Sequence, residues 1–288
     1  YMPKTSNPSD TKRLISLITI LPKVELHLHL EGSIRPERFL KLSRKYRTEF
    51  RERSVEEIQQ QLFTYSDFVS FLHTYKVVCE HLREPEDYVA LVADLRGYLQ
   101  SQNIRYAELF IAPSIPTRNG FNTREILEAA LAAGREVADE LSMKLRWIFD
   151  CVRQFGLEPA RETAEQAAEY QKQGVVGLGL AGDETAVESR EFEETFGWAR
   201  AHGLYVHVHA GEIGGPQQVW DAVKILGADR IGHGPRAGVA GRAHADSEAD
   251  QPRGCGQVHR RSLSLGLRQD QPGHDGAHHP RLGGAVRR

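Results

Sequence analysis

Apolar residues along this chain fall into two alternating rhythms. Short runs rich in β-branched and aromatic residues recur at about 24–30 (VELHLHL), 106–113 (YAELFIAP), 144–152 (KLRWIFDCV), 175–181 (VVGLGLA), 205–209 (YVHVH) and 230–232 (RIG), and runs of this length and composition predict strands. Between them, 124–141, 158–172, 189–202 and 216–226 carry apolar residues at helical spacing. Asn122 or Thr123 is placed to cap the first of these helices, and Pro216 sits in the first turn of the last. Strand and helix in alternation predict parallel βαβ units and an α/β fold.

The gap between the first two strands is too long for one crossover helix. It holds four helical segments at 36–46, 54–62, 66–82 and 86–102. An insertion after the first strand of a (β/α) barrel emerges on the face that carries chemistry, so two readings stand: a cover over a ligand, or a packing elaboration. Residues 1–13 are polar and read as mobile, and 1–21 as an N-terminal extension. Lys12-Arg13 and the apolar run Leu14–Leu21 imitate a signal peptide. The run is short, contains Ser16 and Thr19, and lacks a small-residue cleavage site, which argues against secretion.

The pattern changes at Pro235. From there to Arg288 the chain has no Lys, Ile, Phe, Trp, Tyr, Met, Asn or Thr, and Arg, Gly, Ala and His dominate. Such a stretch buries too little apolar surface to offset chain entropy. A disordered tail, a basic arm and an out-of-frame translation compete as explanations for 235–288. The abrupt onset, and Arg without Lys, favour the last. The domain reading is therefore 22–234 as an incomplete barrel, with its last two strands not recognisable.

Composition narrows the function. A net charge of −2 and a pI near 6.7 supply no field for nucleic acid or an anionic membrane. No stretch approaches the roughly 20 apolar residues of a membrane helix. Cys79, Cys151 and Cys255 are scattered and form neither a disulfide framework nor a Cys₄ zinc site. A cytoplasmic protein with a small-molecule partner is expected; the sequence does not indicate its oligomeric state.

The chemistry gathers at strand ends. His27 and His29, two apart on a strand, point to one face, where two imidazoles can bind a transition metal; the pair alone reads more readily as ordinary half-buried histidines, and the Glu31-Gly32 turn that follows favours the metal. His207 and His209 repeat the alternation; His207 reads as a core histidine. His209-Ala210-Gly211-Glu212 then turns sharply, so Glu212 can project back over the barrel mouth as a general acid if burial raises its pKa, or serve the N-terminus of the next helix. His233 lies between two glycines that allow close approach of a ligand, or is simply a turn residue. Gly177, Gly179 and Gly182 spell G-x-G-x-x-G, but no acid lies between Thr195 and His209 to complete a dinucleotide fingerprint. Gly182 is better placed to let a flat ligand lie against the backbone, or to make a plain turn. Glu108, Asp150, Arg153 and Gln154 also lie on or just after strands, with no role assigned.

Taken in order, VELHLHLEGSI, RYAELFIAPS, VVGLGLAGDE, VHAGE and RIGHG resemble the adenosine deaminase family of metal-dependent hydrolases over roughly residues 22–234. The resemblance implies a TIM (β/α)8-type barrel with one Zn2+ per chain, and hydrolytic deamination of adenosine-type nucleosides to inosine-type products and ammonia. It makes His27, His29 and His209 the zinc ligands, with His29 also beside the substrate. Glu212 would protonate the purine N1, and His233 would orient or deprotonate the attacking water. Gly182 would hydrogen-bond the purine through its backbone, Glu31 would reach the sugar, and the helical insertion would cover the ribose. Adenine or 6-aminodeoxyfutalosine are alternative substrates within the family. The family's Asp-Asp pair, which completes the metal shell and holds the water, has no counterpart after Gly234: Asp246, Asp250, Asp270 and Asp275 match nothing. A non-catalytic, metal-binding remnant is therefore a further alternative. Barrel hydrolases that use a carboxylated lysine are disfavoured, since VVGLGLAG offers no lysine.

Overall fold

The computed structural model describes residues 8–66, 68–233 and 262–263. Helix α1 (Pro8–Ile20) precedes strand β1 (Lys23–His29), and the insertion follows as α2 (Pro36–Lys45), α3 (Val55–Gln61), α4 (Phe68–His81) and α5 (Pro85–Ser101). The alternating part is β2 (Ile104–Ile111), α6 (Ser114–Arg118), α7 (Thr123–Glu140), β3 (Lys144–Val152), α8 (Leu157–Glu169), β4 (Val175–Ala181), α9 (Glu193–Ala201), β5 (Tyr205–Ala210), α10 (Pro216–Lys224) and β6 (Arg230–His233). Strands β1 to β6 are parallel and neighbour one another in chain order. A two-residue strand β7 (Ser262–Leu263) pairs antiparallel with β6.

The sheet curls on itself. No pairing joins β1 to β6 among the described residues, yet the rings of His27 on β1 and His233 on β6 lie 5.3 Å apart across the interior. This is the TIM-type (β/α) barrel, with six parallel strands in place. Helices cover the outside of the central strands, which are buried on both faces as in parallel sheets generally; β3 is buried without interruption from Trp147 to Cys151, whereas β1 leaves Val24 exposed. Asn122 caps α7 by accepting the Glu125 N–H, as its position in the sequence predicts.

The insertion both packs and covers. Phe39, Ile58, Leu62, Val78, Leu82, Tyr88 and Leu91 join the main core, while Phe71, Leu72, Tyr75 and Lys76 of α4 line a cavity at the barrel mouth. The two readings of the insertion thus describe different faces of the same helices.

Three local expectations change. Residues 8–13, expected to be mobile, belong to α1, which continues through the apolar run. The helix expected at 158–172 ends at Glu169 and is followed by a 3-10 turn at Gln171–Gln173, and that expected at 189–202 opens with a 3-10 turn at Ser189–Phe192. Gly174, in the left-handed region at φ 105°, ends the Gln171–Gln173 turn, and glycine meets that demand at no steric cost. The expectations for 235–288 lie outside the described residues, Ser262–Leu263 excepted.

Candidate active site

The C-terminal ends of the strands bring the expected residues together. His27 and His29 come from β1, His209 from β5 and His233 from the end of β6, and Glu212 sits on the turn after β5. Three ring nitrogens converge: His27 Nε2 is 3.1 Å from His29 Nε2 and 2.9 Å from His209 Nε2, and the last two are 3.2 Å apart. Each imidazole nitrogen offers either one N–H or one lone pair, so three that all face one another cannot be satisfied by shared protons. A cation resolves the conflict, because donors about 2.0–2.1 Å from a common centre span edges of this length.

The surrounding groups fit a cation as well. Asp150, at the end of β3, approaches His29 Nδ1 with Oδ2 at 3.3 Å. Its other oxygen is buried with no hydrogen-bond partner among the described residues, and Asp150 lines the cavity. A carboxylate on Nδ1–H leaves Nε2 as the lone-pair nitrogen, the usual support for a metal-binding histidine. Burial opposes protonation of His29, but Asp150, Glu31 and Glu212 outweigh it and raise its pKa. Burial and the neighbouring histidines hold His27 neutral, its pKa well below the usual value. His29, Asp150 and His209 also form one compact donor group, and His27, His209 and His233 another.

Glu212 joins the two sides of the site. Its Oε1 lies 2.9 Å from His233 Nε2 and its Oε2 3.8 Å from His209 Nδ1. Burial on its own would raise the carboxyl pKa; contact with the two histidines outweighs burial and holds it well below the usual range. The balance is thus opposite to that expected from burial. His233 has φ 81°, a conformation uncommon outside glycine.

The glycine pattern of β4 is steric. A Cβ at Gly177 would lie 2.9 Å from the Tyr205 carbonyl oxygen, and one at Gly179 would collide with the Asp150 carboxylate. Gly182 adopts φ 102° and packs against the Gln154 side chain. The glycines therefore make room for β5 and for Asp150 and turn the chain at the cavity wall. Gly232 acts likewise on β6: a Cβ there would lie 2.6 Å from His27 Cε1 and 2.9 Å from His207 Nε2. His207 is buried below the site, its ring 4.8 Å from that of His27.

The cavity above this floor has a volume of about 600 Å³. Gly182, Gln154 and Phe155 wall one side, α4 another, and Ile115 and Arg118 of α6 line it too. Glu31 is not among the lining residues. It is fully buried, and its carboxylate accepts the Ala112 N–H and the Tyr75 hydroxyl, each at 3.2 Å. It ties the ends of β1 and β2 to α4.

Other residues act here without a role having been assigned from sequence. Asp150 and Arg153 end a strand, but nothing in the spacing says what they face. Arg153 is fully buried and donates from Nη2 to the His209 carbonyl at 3.0 Å and from Nη1 to Ser189 Oγ at 3.1 Å. Glu184 follows Gly182 in AGDE, and its buried carboxylate takes the N–H groups of Gly211, Ile213 and Gly214 at 2.6, 2.7 and 2.7 Å.

A family model for adenosine deaminase matches residues 22–244, which include the whole of this site. The chain belongs to the adenosine deaminase family. Among its relatives, aminodeoxyfutalosine deaminase of Streptomyces avermitilis is 37% identical over 232 residues, covering 80% of this chain and 64% of the relative. The chain thus spans somewhat under two thirds of that relative's length. Among solved structures, adenine deaminase from Arthrobacter aurescens superposes with a TM-score of 0.68 at 25% identity, covering 74% of this chain and 64% of the other. An amidohydrolase from Burkholderia ambifaria with bound Zn gives 0.65 at 26% identity, covering 75% and 59%. The two solved structures thus share this fold.

Proposed function

We propose that the protein is a zinc-dependent hydrolase that deaminates adenosine-type purine nucleosides, with His27, His29 and His209 holding the metal. The observation that carries this reading is the triangle of Nε2 atoms beside the Glu212–His233 pair. A bound zinc supplies a Lewis acid that makes water nucleophilic near neutral pH. The chain's own residues do the rest. His233 orients the attacking water or takes its first proton as the water adds to the amino-bearing ring carbon. Glu212, beside His233, delivers that proton to the adjacent ring nitrogen N1, and the water's second proton leaves on the amino group as the C–N bond breaks and ammonia departs. The turn at Gly182 offers backbone groups to the purine edge, and α4 with Phe155 excludes water from the reacting face, which strengthens each polar contact.

The cavity favours a nucleoside over a free base. A purine base alone leaves most of about 600 Å³ unfilled, and the volume lies within the usual range for small-molecule sites. Lys76 and Arg118 on the lining would suit a substituent that carries negative charge. The relative that acts on aminodeoxyfutalosine keeps that nucleoside among the candidates.

The test is turnover by the purified 288-residue chain with added zinc, comparing adenosine, 2′-deoxyadenosine, 6-aminodeoxyfutalosine and adenine by ultraviolet absorbance and ammonia release. Nucleosides should be deaminated and adenine spared. Stoichiometric zinc without turnover of any of them would favour a metal-binding protein lacking the catalytic step, and no zinc at all would refute the reading.

A further inference from the structure

We infer that Arg153 and Glu184 form a buried clamp of opposite charges that sets the position of the His209–Gly214 turn, making both of them positioning residues for the proposed metal ligand and proton carrier. The kinetic consequence rests on the functional reading above; the clamp itself rests only on hydrogen bonds.

Beyond the contacts of Glu212 with His233 and His209, the turn's own residues do little to fix its backbone. Gly211 and Gly215 take φ 83° and 74°, Ile213 is half exposed, and three of the seven residues from His209 to Gly215 are glycine. A segment of this composition loses more freedom on ordering than most. Against that cost stand two side chains from other elements. Glu184, carried by the loop after β4, gathers three N–H groups of the turn on one carboxylate. The Ile213 N–H belongs to the peptide that follows Glu212 and the Gly211 N–H to the one before Gly211, so the carboxylate fixes the peptide on one side of Glu212 and the next but one on the other. Arg153, carried by the end of β3, grips the carbonyl of His209 from the other side. Charge-assisted bonds of this kind are about twice as strong as neutral ones.

The clamp is itself braced. Asp183 Oδ1 accepts the Thr185 N–H at 2.8 Å and its hydroxyl at 2.7 Å, which shapes the loop that presents Glu184. The Asp183 N–H is donated in turn to Gln154 Oε1 at 3.1 Å. Ser189, which accepts from Arg153, donates to Gln218 on α10 at 2.8 Å. The ends of strands β3, β4 and β5 and helix α10 are thus linked by polar bonds around the turn, buried at Arg153, Glu184 and Ser189 and open to solvent at Asp183 and Thr185. Neither Arg153 nor Glu184 is among the cavity-lining residues, so neither needs to touch substrate to matter.

Amide hydrogen exchange on the full 288-residue chain tests this directly. In the unaltered protein the amides of Gly211, Ile213 and Gly214 should exchange at least about 100-fold more slowly than unstructured peptide, as buried bonded amides do. Exchange at unstructured rates would overturn the inference without any variant. Glu184→Gln should then speed exchange at those three amides about tenfold or more, leaving α7 unchanged. It should weaken cobalt binding about 10–100-fold, the usual consequence of losing a supporting group, and shift the cobalt absorption spectrum. Arg153→Lys, which keeps the charge but not the geometry, should show the same pattern more weakly. Glu184→Asp should recover part of the protection. A folded Glu184→Gln protein with unchanged exchange refutes the clamp. If exchange quickens while neither protein deaminates any nucleoside, the clamp stands and the functional reading falls. If the unaltered protein turns over and the variant matches it in exchange and kcat, the reading stands and the clamp falls.

Discussion

At the scale of single residues, the site separates groups that would touch a metal from groups that hold those groups in place. Removing a ligand and removing its support should therefore differ in degree. His27→Ala and His209→Ala each delete one nitrogen of the converging triangle and should drop zinc occupancy, measured by metal analysis after dialysis, to well below one per chain. Asp150→Asn keeps the shape but weakens the hold on His29 Nδ1, and should cost about 10–100-fold in metal affinity with occupancy recoverable at high zinc. Glu212→Gln should retain zinc and lose turnover, because an amide cannot carry the proton. Glu31 belongs to a different class. Glu31→Ala leaves the buried Ala112 N–H without its partner and should lower stability by about 1–3 kcal/mol, read from the urea midpoint. The histidines and Glu212 were legible in sequence because alternation on a strand and a Gly-containing turn say where side chains point. Asp150, Arg153 and Glu184 were not, because their meaning comes from partners on other strands that no local pattern reveals. Glu31 follows the motif directly, yet the fold turns its carboxylate to Ala112 and Tyr75.

At the scale of elements, the barrel strands were legible almost to the residue, since β-branched runs buried on both faces leave little ambiguity. The ends of helices were less so. Tightening into 3-10 turns after α8 and before α9 depends on backbone bonds such as Gly174 N–H to Gln171 O, which periodicity does not encode. The insertion was legible as helices but not in its docking, which depends on a buried carboxylate. Asp87 of α5 accepts from Lys45 Nζ at 2.7 Å, the Tyr46 hydroxyl at 2.5 Å, and the Arg83 and Glu84 N–H groups at 3.0 and 3.1 Å. Burial opposes the charge, but these donors outweigh it and hold the Asp87 pKa below its ordinary value. A depressed carboxylate pKa contributes stability that is complete above the unfolded value, about 3.9, and is lost as pH falls through the lower folded value. Asp87→Asn should therefore destabilise the protein by about 1–3 kcal/mol at pH 7. The difference from the unaltered protein should narrow as both are unfolded by urea at successively lower pH below 4. A difference that stays constant down to pH 2 would show that packing rather than charge holds α2 to α5.

At the scale of the whole molecule, the described residues form a curved sheet whose first and sixth strands face each other without pairing. Among the described residues the outer edge of β1 is unpaired, while β6 pairs with β7; unpaired strand edges are sites of association in general, and the element beside β1 adds apolar surface. Leu14, Ile15, Leu17, Ile18, Ile20 and Leu21 of α1 and the turn after it are 47–69% exposed, and Val24 on β1 is 61% exposed. Single exposed apolar side chains are ordinary, but a contiguous group of this kind is not. Sequence periodicity could not show this, because the apolar positions spread over most of the helix circumference and leave only a narrow polar stripe of Lys12, Ser16 and Thr19. The 288-residue chain should accordingly bind an apolar fluorescent dye at a site separate from the catalytic floor. The double change Ile15→Lys and Ile18→Lys, distant in sequence from every proposed ligand, should reduce that fluorescence and raise solubility while zinc occupancy stays the same. Dye binding that survives the double change but vanishes when zinc and a nucleoside fill the mouth would place the exposed apolar surface in the 600 Å³ cavity instead of on α1. Loss of zinc on the double change would mean that α1 supports β1, and through it His27 and His29, more tightly than its exposure indicates.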